Sequence, residues 1–572
     1  MASHDDPVMI VVGGDALALD TAHELCALQG HHVVVLWRGD PDFARAVENL
    51  GAVFVAGQPD SAETLAHAGV RRAVTKLALS RDDQLNLHTT LLARDLNPAI
   101  RIVLRQFNRR LARKIEQNLP DCSVLSLAWH SAATYAAAAL DPSCFRGLQF
   151  PDIDGPLTGF ATRIAAECGI GGATLAEAER ALSARIVAVD GNTALRADTL
   201  IEPQAELVVY GGLGELIRSA PYSRGAADGA APDPQPGFAS HGERRRLPRF
   251  NPILVRLAAV ALVVVVAGIA YFRAVFADGW LDAAYFVIAT MTTTGYGDIT
   301  PDRNDPVEVV AAMLLMLAGT TLTGLFIAYG ASLLTRVYWV RMQGLRPLHR
   351  RGHIIVCGAG SIGSGVIELL LAQGKRLVVV EPAPDPAIVE LARERRFDLL
   401  TGDASRDETL DLCNIGAAHS IVALTNVDTL NLEIALGARA RNPAMPAILR
   451  IAEASFAASI ARHFGFQTTF SVAALAAPTF VGLSRFAGSR GRVAFAGQEF
   501  ALGEYVLADH RRPTPPENAI LLAVTRDGDF ALANDFRELR SGQRALVMVP
   551  LAPFRAGADT LAAAAERFLA SR

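Results

Sequence analysis

The sequence predicts a multidomain membrane protein. A module of two membrane-spanning α-helices lies between two α/β domains, and a small α+β subdomain follows each of these. Three observations predict this. Two charge-free or nearly charge-free apolar runs, 253–272 and 309–334, are each long enough to cross a bilayer. Residues 8–119 align with 353–464 without gaps at one constant offset, 353 − 8 = 345. Each copy alternates short apolar strands with helix-like segments, the pattern of a parallel sheet covered by helices.

In chain order, residues 1–7 are polar and acidic and carry no signal-peptide pattern. Strands are predicted at 8–12, 32–37, 53–56, 73–79 and 100–104. The second copy keeps the same punctuation. Leu85-Asn86 matches Leu430-Asn431, Asn97-Pro98 matches Asn442-Pro443, Leu104-Arg105 matches Leu449-Arg450, and Gly57 matches Gly402. The expected boundaries are 8–144 and 350–485 for the α/β domains and 145–218 and 486–572 for the subdomains with the tail. A Gly/Ala/Pro/Ser-rich linker, 219–250, leads into the membrane module at 251–340.

Composition fits a small membrane core with large aqueous attachments. Hydrophobic residues make up 51% of the 572 and mean hydropathy is +0.26. The net charge of −4 gives no global sign of a nucleic-acid partner. Six scattered cysteines have no metal-ligand spacing and read as reduced thiols. Arg244–Arg246 and Arg249 precede the first apolar run, and Arg336, Arg341, Arg346, Arg350 and Arg351 follow the second. The loop between is acidic, with Asp278, Asp282, Asp298, Asp302, Asp305 and Glu308 against Arg303. The positive-inside rule then puts both termini in the cytoplasm of a cell (inner) membrane protein. Asp278 is the expected N-cap of a short helix running to Thr292.

Between the two runs lies Thr293-Thr294-Gly295-Tyr296-Gly297-Asp298. Rings of backbone carbonyls can replace the water around a dehydrated cation, and glycine tolerates the backbone this requires. The stretch resembles the selectivity filter of potassium channels, the family in which such carbonyl coordination is best known. The resemblance implies potassium ligated at Thr293, Thr294, Gly295 and Tyr296. It also implies a homotetramer, since one chain supplies a quarter of each ring. Thr294 stands where many members have Val. Gly319, Gly324 and Gly330 on the second long run are hinge candidates, with close helix packing as the alternative for each.

The second repeat opens with a strand into Gly358-Ala359-Gly360-Ser361-Ile362-Gly363, and the next strand ends in Glu381. Gly358 permits a tight turn, Gly360 lets a pyrophosphate approach the backbone, and Gly363 allows helix–sheet contact. The helix start attracts phosphate and Glu381 can accept from ribose hydroxyls. Asp403 would border the adenine side. The arrangement resembles the RCK (TrkA-N/TrkA-C-like) domain, a Rossmann-like regulator of potassium conductance. That resemblance implies NAD(H) or an adenine nucleotide as gating ligand, with calcium at Glu381 and Asp403 as the alternative. It also implies an eight-domain cytoplasmic ring around a four-chain pore.

The first repeat departs from the motif. At the same offset Asp15 replaces Gly360, Ala18 replaces Gly363, Leu36 replaces Glu381 and Gln58 replaces Asp403. Asp15 is expected to repel phosphate and Leu36 cannot hold ribose, so that copy is expected to be structural or to bind something else. The rival class is a membrane-anchored NAD-dependent oxidoreductase. It needs an acid or base beside the nicotinamide, whereas His88, His130 and His463 read as ordinary structural residues.

Overall fold

The computed structural model describes residues 7–27, 31–107, 109–150, 155–220, 252–276, 279–342, 348, 350–485, 488–506, 519–526, 529–533, 535–536, 539–540 and 542–551. The linker beyond residue 220, the arginines at 244–249 and Asp278 lie outside them. The chain divides into two compact units, one holding both α/β repeats and the other the membrane module.

In the first repeat, strands β1 (Val8–Val12), β2 (His32–Trp37), β3 (Val53–Ala56), β4 (Ala73–Ala78), β5 (Arg101–Arg105) and β6 (Cys122–Leu125) form one sheet. Their order is β3-β2-β1-β4-β5-β6, and every pairing is parallel. Central strands covered on both faces need unbroken apolar runs, and every residue of β1 is buried. Helix α1 (Ala16–Ala27) follows β1, and α2 (Leu127–Leu140) follows β6. The subdomain is an antiparallel sheet of β7 (Cys144–Gln149), β8 (Leu157–Ile164), β9 (Arg185–Val189) and β10 (Glu206–Gly212), ordered β7-β8-β10-β9.

The membrane module contains α3 (Pro252–Val275), α4 (Trp280–Met291) and α5 (Pro306–Met342). Segments Arg256–Val275 and Pro306–Ala331 are long and apolar enough to span a bilayer. The residue before α4 is Gly279, which makes no side-chain cap. Phe272, Ala283, Phe286, Val287, Met291, Ala312, Leu315 and Leu322 form the module's own core.

The second repeat has the same topology. Strands β11 (Ile354–Cys357), β12 (Leu377–Glu381), β13 (Asp398–Thr401), β14 (Ser420–Ala423), β15 (Ala447–Ile451) and β16 (Thr469–Ser471) are ordered β13-β12-β11-β14-β15-β16. Helices α6 (Ser361–Ala372) and α7 (Val472–Arg485) occupy the places of α1 and α2. A five-stranded antiparallel sheet follows, built from β17 (Ser489–Phe495), β18 (Gln498–Val506), β19 (Ile520–Arg526), β20 (Asp529–Leu532) and β21 (Arg544–Pro550).

The repeats pair with each other inside the chain by exchanging helices. Helix α2 packs on α6, and α7 packs on α1. The exchange is reciprocal down to single hydrogen bonds. Thr75 Oγ1 donates to Ser484 O at 3.1 Å, and Ser420 Oγ donates to Ala139 O at 2.6 Å. Both residues shift by the repeat offset, 420 − 75 = 345 and 484 − 139 = 345. Tyr135 of α2 donates to Phe470 O at 2.9 Å, and Arg146 donates to Leu475 O at 2.9 Å. His130 lies part-buried between Arg146 and Thr479 at 3.1 and 3.0 Å. Burial first, and the neighbouring arginine next, push this imidazole down to about 3, so it stays neutral as a structural bridge. The two subdomain sheets share one core, in which Phe150, Phe160 and Tyr210 meet Phe500, Leu522 and Met548. The sequence places the first repeat only by the length of its linker; the structure gives it a partner in the same chain.

Candidate functional site

The end of α4 shapes the filter stretch. The N–H groups of Thr293, Thr294 and Gly295 donate back to Thr290 O and Ala289 O at 3.2, 2.9 and 3.3 Å. In a planar trans peptide the preceding carbonyl points the opposite way, so the carbonyls of Thr292, Thr293 and Thr294 face away from the helix. Gly295 and Gly297 hold φ of +51° and +78°, and Thr293 holds +60°. Those signs are easy for glycine and strained for threonine. The Thr294 hydroxyl meets the Thr292 hydroxyl at 2.9 Å, and the latter donates to Ile288 O at 2.8 Å. The Thr294 side chain therefore ties this stretch to the end of α4. Tyr296 stacks on Tyr285 of α4 with centroids 6.3 Å apart, and Tyr285 OH donates to Asp298 Oδ2 at 2.9 Å.

The three hinge candidates separate. Helix α5 runs without a break through all of them. A Cβ on Gly319 would lie 2.5 Å from Met291 Cα, whereas nothing lies within 4 Å at Gly324 or Gly330. Gly319 is thus a packing glycine that lets α5 meet the end of α4. Gly319→Ala is expected to displace that end and lower the thermal midpoint of the purified chain by several degrees, while Gly324→Ala changes it little. Equal midpoints for the two variants would contradict this assignment.

The glycine loop of the second repeat has the geometry its spacing implies. Gly358 takes φ +98°, and a Cβ there would come 3.1 Å from Leu424 C and Thr425 N. At Gly363 a Cβ would lie 2.0 Å from Gly358 O, and at Gly360 it would meet open space. The bare face of Gly360 adjoins the start of α6, where Ser361 and Ile362 stand in the first turn with the N–H groups a helix leaves unpaired. Glu381 Oε2 accepts from Ala359 N at 2.7 Å, and Oε1 accepts from Ala383 N at 3.3 Å, which holds the carboxylate against the loop. Asp403 Oδ1 accepts from Ser405 N and Oγ at 3.0 and 2.8 Å, and these bonds hold its pKa below the usual carboxylate value. Among the described residues no group of three or more His, Cys, Asp or Glu is placed to hold a metal ion.

The first repeat's loop is filled rather than merely repellent. Asp15 Oδ2 accepts from Arg105 Nη1 at 3.0 Å and Arg81 Nε at 3.2 Å, and Oδ1 accepts from Ala18 N at 3.2 Å. Its charge is neutralised in place. The indole of Trp37 covers Gly14, where a Cβ would lie 1.9 Å from Nε1. Leu36, in the position of Glu381, is fully buried.

Several polar residues that shape both loops escaped functional reading in the sequence. Asn86 bonds the backbone of Ser80 and Arg105, and Asn431 bonds that of Thr425 and Arg450. Asn97 reaches Val70 O, and Asn442 reaches Ile415 O. The signal was present, because these are the identities that reveal the duplication.

Fold and sites define a two-helix membrane module flanked by nucleotide-type α/β domains. A family described as TrkA-N domain matches residues 9–121 and 354–472, and one described as ion channel matches 259–336. The chain thus carries TrkA-N domains on both sides of an ion-channel domain. It is 28% identical over 185 residues to "Voltage-gated potassium channel Kch" of Escherichia coli, covering 31% of this chain and 43% of that one. It is 31% identical over 155 residues to "Calcium-gated potassium channel TvoK" of Thermoplasma volcanium, covering 26% and 41%. The solved "GsuK channel bound to NAD" aligns with 98% of this chain and 80% of its own, at 16% identity and a TM-score of 0.49. The chain spans 28–52% of the length of the first curated relatives it matches.

Proposed function

We propose that the chain is a subunit of a tetrameric, potassium-selective channel gated by NAD(H) or an adenine nucleotide at the second repeat. The carrying observation is the filter backbone, with its N–H groups turned into α4, its carbonyls turned away, and glycines at the two left-handed positions. Potassium-channel relatives and the two apolar helices support the membrane setting. Both termini would be cytoplasmic, and eight α/β domains from four chains would form the gating ring. The filter gives the conducting function to this chain itself, which separates it from a membrane-anchored oxidoreductase. Nucleotide shifts the pore only by its differential affinity for open and closed rings.

The test is potassium-over-sodium flux in liposomes made with the purified chain, with and without nucleotide. Flux that is unselective, or selective flux that ignores every nucleotide, overturns the corresponding half of the reading. Glu381→Ala removes the ribose acceptor and is expected to weaken nucleotide binding by about 1.5–3 kcal/mol in calorimetry; wild-type affinity would place the ligand elsewhere. The name of the TvoK relative favours calcium as a second reading. Under it, flux would follow calcium at constant nucleotide.

A further inference from the structure

We propose that Arg450 is the cation that takes a phosphate group of the nucleotide at the second repeat. On this view, Asp15 is the chain's built-in replacement for that phosphate in the first. The inference rests on the proposed nucleotide site and adds a residue that the glycine motif does not contain.

The two copies can be compared atom for atom. Arg105 and Arg450 lie toward the ends of equivalent strands, 450 − 105 = 345. Arg105 is almost fully buried, and its Nη1 bridges Leu79 O and Asp15 Oδ2, both at 3.0 Å. Leu79 corresponds to Leu424, and Asp15 to Gly360. Arg450 keeps the first anchor and lacks the second. Its Nη1 donates to Thr425 O at 2.8 Å and Asn426 Oδ1 at 2.7 Å, and approaches Leu424 O at 3.5 Å. Leu424 and Thr425 are also the residues against which the Gly358 turn closes. The guanidinium is therefore moored beside the glycine loop. Its Nε and Nη2 have no hydrogen-bond partner among the described residues, and it is largely desolvated, which lowers its pKa.

In the first copy an oxyanion completes this arrangement: the Asp15 carboxylate, held by Arg105 and Arg81. In the second copy Gly360 removes that oxyanion and leaves open space at its Cβ direction. A partly buried arginine beside an open, donor-rich loop suits a phosphate oxygen, because charge-assisted bonds to arginine are the strong ones in such places. Asn426 replaces Arg81, so the second copy gains an acceptor that orients Arg450.

The test uses the full-length chain and compares ADP with adenosine by calorimetry. Arg450→Gln is expected to weaken ADP about 10–100-fold and adenosine by less than about threefold. Retained adenosine binding also reports that the variant is folded. Equal losses for both ligands, or unchanged ADP affinity in the variant, overturn the role of Arg450 while leaving the nucleotide site in place. A wild-type chain that binds neither ligand overturns both proposals.

A second arm needs no ligand. Gly360→Asp recreates the carboxylate of the first copy, at a φ of −64° that aspartate adopts freely. It is expected to raise the thermal midpoint of the ligand-free chain in the presence of Arg450 and to do so less in an Arg450→Gln background. Additive effects in that cycle would show that positions 360 and 450 do not meet through an anion, and would sink the proposal.

Discussion

Gly295→Ala or Gly297→Ala is expected to abolish potassium-selective flux in liposomes while the purified chain still assembles. Both glycines hold left-handed φ values, +51° and +78°, with nothing within 4 Å of the Cβ direction in the single chain. The obstacle is therefore conformational rather than a clash. A left-handed L-residue costs roughly 1–2 kcal/mol, and the proposed four-chain ring would incur that cost four times in one narrow structure. The backbone relaxes by turning the peptide that the alanine strains, and a carbonyl leaves its ring. The N–H ties from Thr293, Thr294 and Gly295 to the end of α4 make the effect worse, because they hold the rest of the loop still. Unchanged potassium-over-sodium selectivity in either variant would remove the filter assignment.

Deleting residues 1–218 is expected to cost the second repeat its stability as well as its ligand response. Helices α6 and α7 pack on α2 and α1, and one apolar core runs through both repeats. Removing the first repeat would uncover a face that includes Val366, Ala476, Ala477 and Phe480, all buried in the intact chain. Each large apolar side chain returned to water costs about 1.5–3 kcal/mol, against a typical net stability of about 5–15 kcal/mol for a domain. The truncated chain should aggregate, or melt well below the full-length chain in calorimetry. Nucleotide-dependent flux at the wild-type level from the truncated protein would show the pairing to be dispensable.

Most of the architecture was readable because covered parallel strands demand unbroken apolar runs. Val8–Val12 and His32–Trp37 announce themselves in this way. The helix exchange was not readable. Helix α2 is rich in alanine and apolar almost all round, so its composition says that it is buried but not against what. Its counterpart α7 shares little sequence with it, although the two occupy equivalent places, 472 − 127 = 345 and 485 − 140 = 345. The glycine loop was legible because Gly358 and Gly363 each answer a separate steric need. The state of Asp15 was not, because a carboxylate that repels and one that is neutralised look the same until Arg105 and Arg81 are placed. The role of Asp403 was not legible either: its acidity suggests a ligand, but the bonds by which Ser405 holds one oxygen within its own turn need the fold to be seen.

The filled loop of the first repeat limits how steeply such a channel can respond. Each intrachain pair holds one open loop and one closed by Asp15 and Trp37, so the proposed four-chain ring of eight α/β domains would offer four ligand sites. The Hill coefficient of nucleotide-dependent flux then has a ceiling of four, half that of a ring in which every domain binds. Under the proposed function each pair would also be lopsided before any ligand arrives, so a single binding event would complete its response.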